Sequence, residues 1–371
     1  MIPLFKVFVS PNMQEPLMKT MNSGFLGEGP KNKEFEAALR KYIGCPNLLT
    51  VNSGTSALRL ALRLAGVGPG DEVISTALTF FATNSPILEQ GAHPVWADID
   101  PLTGNIDPNS IVCAITPRTK AIIVVHFGGA PYDLNLINSV AKANNIKVIE
   151  DACQALGSLY DGSLIGKPHS DFVCFSFQAI KFFTTGDGGA LVCKDPKDHE
   201  RGRLLRWYGL NRDNPTKCGD SRCEDDVVDA GYKYHMGDIS ATIGLENLPY
   251  LEKNLEIVRD NARFYDDAIK ETEGLGIRPM DGCAQSNYWF YTLHVVKNRD
   301  LFMKKMLENG IMCSKVHARN DTYSVFLPYR VPLPGVTRFY STQCAIPCGW
   351  WVTEQDREFI VRTARKIIRE T

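Results

Sequence analysis

Residues 121–151 read AIIVVHFGGAPYDLNLINSVAKANNIKVIED, and this stretch decides the fold. Its two ends, AIIVVHF and IKVIED, are short runs rich in β-branched side chains with little polar alternation, the pattern of strands buried on both faces. Between them LNLINSVAKANN carries apolar residues at helical spacing. A strand, a helix and a second strand in so few residues predict a βα unit with parallel strands.

The same alternation extends outward in both directions. NLLTV, DEVIST and HPVWAD upstream, with DFVCFSF and GALVC downstream, read as further strands, and SALRLALRLAG and NSPILEQ as intervening helices. The expectation is an α/β fold, a mostly parallel sheet covered by helices. In such sheets ligands bind beyond the carboxyl ends of the strands, so the residues just after each strand are the ones to inspect.

From about residue 240 the character changes. SATIGLENLPYLEKNLEIVRDNARFYDDAIKET predicts a long amphipathic helix broken near Pro249. The strand candidate YWFYTLHVV and a terminal helix, TEQDREFIVRTARKIIRE, follow. The expected division is a large domain over residues 1–245, with an N-terminal arm, and a smaller α+β domain over 246–371. Residues 211–226, dense in charge, Gly and Pro, are expected to form a mobile loop.

Bulk properties narrow the function classes. A chain of 371 residues with 44% hydrophobic side chains can bury a large core, and its net charge of −1 gives no general drive toward nucleic acid or anionic membrane. No apolar run approaches the roughly 20 residues a membrane helix needs. The start, MIPLFKVFVSPNMQEPL, has no basic region before its apolar stretch and is interrupted by Pro, so it is read as part of the folded protein. Of eleven cysteines, Cys113, Cys153, Cys174 and Cys193 sit in apolar or strand-like runs as reduced core residues. Cys218 and Cys223, in KCGDSRCEDD, lack CxxC spacing and a second pair, which argues against zinc. A reduced, cytoplasmic protein is expected.

Three strand ends carry chemistry. In VNSGTSALRLAL, Gly54, Thr55 and Ser56 stand between a strand and a helix, where small residues can close around a phosphate at the helix N-terminus; the plainer reading is an N-cap. VIEDACQALG ends an apolar strand with Glu150 and Asp151, open to capping, a salt bridge, a metal or the nitrogen of a pyridinium ring. No partner carboxylate or His recurs at nearby strand ends in a ligand-like pattern, which argues against metal. In FSFQAIKFFTTGDGGALV, Lys181 lies among Phe175, Phe177, Ile180, Phe182 and Phe183 before a Gly-rich turn. A loop lysine is usually solvated, but an apolar setting lowers an amine's pKa and favours the neutral nucleophile. Together with the aromatic Phe80, these are the parts a pyridoxal-phosphate site requires: an acid at the ring nitrogen, a flat ring to stack, a phosphate cup and an amine.

SFQAIKFFTTGDGGAL, EDACQALG, NSGTSALRLAL, GVGPGDEVI, TFFATNSPILEQGAHPVWADID and GFLGEGPKNKEFE, in this order and spacing, resemble the DegT/DnrJ/EryC1/StrS family of sugar aminotransferases from near residue 20 to the C-terminus. The resemblance implies a fold-type I aminotransferase, a homodimer with active sites at the interface, and nucleotide-linked keto-deoxysugars as substrates. It implies Lys181 as the Schiff-base lysine, Asp151 as the pyridinium partner and Phe80 as the stacking ring. By the same match Thr55, Ser56 and Ser176 hold the phosphate, Gln154 lies beside the phenolic oxygen, and His317 faces substrate. Three positions depart from the family pattern. GYKYHM stands where the family has GFNYRM, so Lys233 replaces an Asn that reaches the neighbouring subunit's cofactor, and His235 replaces Arg. Tyr208 replaces a common His. The implied reaction takes an amino group, with glutamate as donor, to a 4-keto-6-deoxy sugar. A 3-keto or inositol-type acceptor is the alternative, and the family's dehydratases, which carry His at the lysine position, are disfavoured by Lys181.

Overall fold

A computed structural model of the chain describes residues 1–212 and 226–370. Most of the expected 211–226 loop, with Cys218 and Cys223, lies outside the described residues. The central sheet has seven strands: β1 (Leu48–Val51), β2 (Glu72–Thr76), β3 (His93–Ala97), β4 (Thr119–Val125), β5 (Lys147–Asp151), β6 (Phe172–Ser176) and β7 (Gly189–Cys193). Their spatial order is β1-β7-β6-β5-β4-β2-β3. Adjacent pairs from β6 to β3 are parallel, and β7 runs antiparallel to both of its neighbours. Each of the seven runs identified in the sequence is one of these strands.

The strands lack polar alternation because helices cover both faces of the sheet. Ile122, Val124, Val148, Val173 and Phe175 point into one core with Phe35, Leu39 and Ile43 of the helix Pro30–Ile43. Ala121, Ile123, Ile149, Phe172 and Cys174 point into the opposite core with Leu58, Ala61 and Leu62 of the helix Gly54–Leu64. Full burial of a large aliphatic side chain contributes about 1.5–3 kcal/mol, so both faces favour this sandwich. Cys153 is only half-buried and Cys113 is exposed, unlike buried Cys174 and Cys193. Cys113 lies near the end of the short helix Pro108–Ala114, of which Pro108 and Ile111 form the buried side.

The C-terminal region has its own antiparallel sheet, with Tyr291–Val295 between Leu275–Ile277 and Gln343–Ile346. The terminal helix Glu354–Arg369 starts with a capping box formed by Thr353 and Asp356. Pro249 sits in a 3-10 turn, Leu248–Tyr250, which divides the helix Asp238–Asn247 from Leu251–Ile269. The second of these helices is shared. Leu251 and Leu255 pack in a core of the large sheet, whereas Val258, Ala262, Tyr265 and Ile269 pack with the C-terminal sheet.

The first ten residues form a strap between regions. Ile2 pairs with Ile311, Leu4 is buried beside Trp289 and Phe127, and the Ser10 N–H donates to Asn247 Oδ1 at 2.9 Å. Among the described residues no helix is long and apolar enough to cross a membrane.

Candidate active site

A cavity of about 450 Å³ opens at the carboxyl ends of β5 and β6. Its floor is built from strand ends. Because β7 returns antiparallel to β6, with Ser176 opposite Gly189, the segment between them is a loop standing over the edge of the sheet. Lys181 lies in that loop and lines the cavity. Its Nζ is 4.1 Å from the centre of the Trp289 ring. Burial pushes its pKa down, while Cys153 and Asp151 push weakly the other way.

Asp151 ends β5 and is buried. One carboxylate oxygen, Oδ2, accepts from Thr83 Oγ1 at 2.7 Å, and Oδ1 accepts from the Cys153 N–H at 3.1 Å. Its neighbour Glu150 is turned away by strand alternation. Glu150 Oε2 instead lies 2.9 Å from His126 Nε2, both side chains being fully buried.

The helix Gly54–Leu64 aims its N-terminus at the same cavity. Ser53 caps it, accepting from the Ser56 N–H at 3.1 Å. Gly54 is required by close approach, because a Cβ there would stand 2.7 Å from Ser176 Cβ and 2.8 Å from Cys153 Sγ. Unpaired N–H groups and the helix dipole make this end a seat for an anion.

The opposite wall comes from distant parts of the chain: Phe5, Trp289, Val316 and His317. Phe80 stands at the mouth, largely exposed, with its ring 6.0 Å from that of His317. Val316 has φ of 59°, strained for a β-branched residue, and lies between Lys315 and His317, whose N–H donates to the Lys315 carbonyl at 2.8 Å. Burial, with a smaller push from Lys181, brings the His317 pKa down to about 3. The ring is therefore neutral, and its Nε2 accepts from Gln154 Nε2 at 3.2 Å. Gln154 Oε1 accepts from the Gly128 N–H at 2.8 Å, which fixes both ends of the amide.

The arrangement fits pyridoxal phosphate: a buried, hydrogen-bonded carboxylate, an amine in an apolar cavity and a glycine-opened helix N-terminus converge on one space. The DegT/DnrJ/EryC1/StrS aminotransferase family model matches residues 9–365. The chain belongs to this family. It is a pyridoxal-phosphate-dependent sugar aminotransferase.

Within the solved structures, sugar aminotransferase CalS13 from Micromonospora echinospora superposes with a TM-score of 0.94 at 38% identity, covering 99% of this chain and 100% of that one. The PLP form of Spr1654 from Streptococcus pneumoniae superposes at 0.91 and 28% identity, covering 100% and 99%. The dTDP-4-dehydro-2,3,6-trideoxy-D-glucose 4-aminotransferase of Saccharopolyspora spinosa is 29% identical over 94% of this chain and 88% of its own.

Of the residues singled out in the sequence, Gly54, Thr55, Phe80, Asp151, Gln154, Ser176, Lys181 and His317 line one cavity. Ser56 and Lys233 do not. The Ser56 hydroxyl donates to Asn52 Oδ1 at 2.6 Å and sits 2.9 Å from Ser53 Oγ, so it serves the cap. Lys233 is exposed outside the cavity of its own chain, where its carbonyl accepts from Asn52 Nδ2 at 3.2 Å. Sequence reading missed Ser53, Thr83, Phe5, Trp289 and Val316. Thr83 was within reach, standing three residues after Phe80 in the first turn of the helix Phe81–Glu89. Trp289 and Phe5 carry no local signal, since only tertiary packing brings them to the lysine.

Proposed function

We propose that this aminotransferase moves an amino group from glutamate to C4 of a nucleotide-linked 4-keto-6-deoxy sugar. The observation that carries the reading is the convergence of Lys181 and Asp151 from neighbouring strand ends on one cavity. The C4 position is supported by the likeness to the 4-aminotransferase of Saccharopolyspora spinosa.

Pyridoxal phosphate, when bound, supplies a carbonyl that exchanges amino groups and a ring that withdraws electrons from the bond being broken. Lys181 Nζ is the nucleophile and the proton carrier, and burial keeps more of it as the neutral amine than in water. Asp151 holds a proton at the ring nitrogen, with Thr83 and the Cys153 N–H fixing its two oxygens. Gly54, Thr55 and Ser176 hold the phosphate at the helix N-terminus, and Phe80 covers the ring. Gln154 would lie beside the cofactor's phenolic oxygen, and neutral His317 would face the acceptor sugar. In the homodimer, Lys233 reaches the partner's cofactor phosphate as a point charge.

The test is a panel of dTDP-, UDP- and GDP-linked 3-keto and 4-keto sugars and a keto-inositol, each offered with glutamate to the purified enzyme. Amination of a 4-keto-6-deoxy sugar at the highest kcat/KM is the expected outcome. Preference for a 3-keto sugar or the inositol would overturn the C4 assignment.

A further inference from the structure

Among the described residues, Lys181 makes no ion pair, although its amine is the reactive group of the cavity. What it meets is a π face. Nζ stands 4.1 Å over the Trp289 ring, within the range of a cation–π contact. The indole is held from three sides. Its Nε1–H donates to the Ile180 carbonyl at 2.7 Å, immediately before the lysine, and its backbone N–H donates to Asn287 Oδ1 at 3.1 Å. Phe5 stacks against it, with centroids 4.9 Å apart and planes 23° apart. The strap that carries Phe5 is pinned by the Ile2–Ile311 bridge and by Trp351 Nε1, which donates to the Pro3 carbonyl at 3.0 Å.

We propose that Trp289, backed by Phe5, is the seat of the Lys181 ammonium whenever that amine is not bonded to the cofactor. This rests on the reading of Lys181 as the cofactor lysine. Trp289 is then a positioning residue with a definite thermodynamic sign. When the amine bonds the cofactor aldehyde, its nitrogen joins the aldehyde carbon. Two of the ammonium hydrogens leave with the oxygen as water, and the third passes to solvent. The contact with the indole face is lost in that state. Pyridoxamine phosphate has no aldehyde, so the ammonium keeps its seat when that form binds. The seat therefore favours release of the lysine to an incoming amino donor, and it opposes covalent capture.

The test compares the affinities of the apo-enzyme for pyridoxal phosphate and pyridoxamine phosphate, by titration followed through absorbance and fluorescence. Trp289→Leu removes the seat and should raise the ratio of pyridoxal to pyridoxamine affinity by about 3- to 30-fold, the worth of a partly desolvated cation–π contact. Trp289→Phe keeps a weaker π face and should stay within about three-fold of wild type. Phe5→Ala should shift the ratio in the same direction as the leucine variant, by less. The shift should fade as pH rises past the amine's pKa, because a neutral amine has no charge to seat. A mere cavity wall would weaken both cofactor forms together and leave the ratio unchanged at every pH. That result, or a lowered ratio, overturns the proposal; if the leucine variant does not fold, a phenylalanine variant with a lowered ratio does so as well. Lys181→Ala separates the two readings. If that variant keeps the wild-type ratio, Lys181 is not the cofactor lysine, and the proposed function fails first.

Discussion

The floor and the far wall of the cavity are built in opposite ways. Floor residues such as Asp151, Ser176 and Lys181 each sit at or just after a strand of the central sheet, so their positions follow from the backbone ladder. Wall residues Phe5, Trp289, Val316 and His317 come from remote segments and are placed by packing and side-chain hydrogen bonds. A rigid sheet edge suits chemistry that any substrate of the class must undergo. A wall assembled by tertiary contacts suits recognition, because it can vary without disturbing the ladder.

The comparison breaks most readily at Lys181. Lys181→Ala should fold and lose turnover by roughly 10³-fold or more, since nucleophile and proton carrier go together. Steady-state kinetics within tenfold of wild type would mean that the floor does not carry the chemistry. Asp151→Asn should lower kcat on the order of 10²-fold, as loss of a preorganised electrostatic partner does, while the KM for the sugar stays within about two-fold. A variant altered only in thermal stability would make Asp151 an ordinary structural carboxylate.

The wall should answer in stability and its pH dependence. Because the His317 pKa is depressed to about 3 in the folded state, the unfolded chain binds its proton first as pH falls. Its contribution to stability is fully present above the unfolded pKa of about 6.5 and is lost progressively as pH drops toward the folded value. Between pH 7 and 5 this one residue should cost about 2 kcal/mol. Urea denaturation of His317→Gln should show that much less pH dependence over the interval, and an unchanged slope would place the histidine in a solvated site. His235, pushed down to about 4 chiefly by burial, adds a parallel loss that the glutamine variant leaves in place.

The smallest effect is expected at Lys233, which belongs to neither surface of its own chain. Lys233→Ala should weaken cofactor affinity by a few-fold at low salt, and the difference should shrink as ionic strength rises. At low salt and limiting cofactor, where Lys233→Ala is impaired, mixing it with Lys181→Ala should give a mixed dimer with one site of wild-type cofactor affinity if one site draws its two lysines from different chains. Undiminished affinity in the single variant would leave Lys233 a solvated side chain.

This contrast also explains what could be read from the sequence. The seven strands, the break at Pro249 and the terminal helix were legible, because apolar runs and turn residues specify them locally. Lys181, Asp151 and Gly54 were legible for the same reason, each being tied to a strand end. Ser56 resembled a phosphate ligand, but its hydroxyl is spent on Asn52 and Ser53, a competition within four residues that composition does not reveal. Trp289 looked like one more aromatic in a strand candidate that in fact begins only at Tyr291. Its partner Phe5 is 284 positions away, and no local pattern encodes such a meeting.

The shared helix Leu251–Ile269 has a consequence for recombination between relatives. A crossover within it would join the half that fills one parent's large-sheet core to the half that fills the other parent's C-terminal core. Leu251 and Leu255 would then keep the large-sheet neighbours of their own parent, and Val258, Ala262 and Tyr265 the C-terminal neighbours of theirs. A join before the helix instead sets one parent's Leu251 and Leu255 in the other's large-sheet core. Volume mismatches of a methylene or two in packed cores commonly cost about 1–3 kcal/mol each. Chimeras joined between Leu255 and Val258 keep each core from a single parent, and should survive more often than those joined in the 3-10 turn at Leu248–Tyr250.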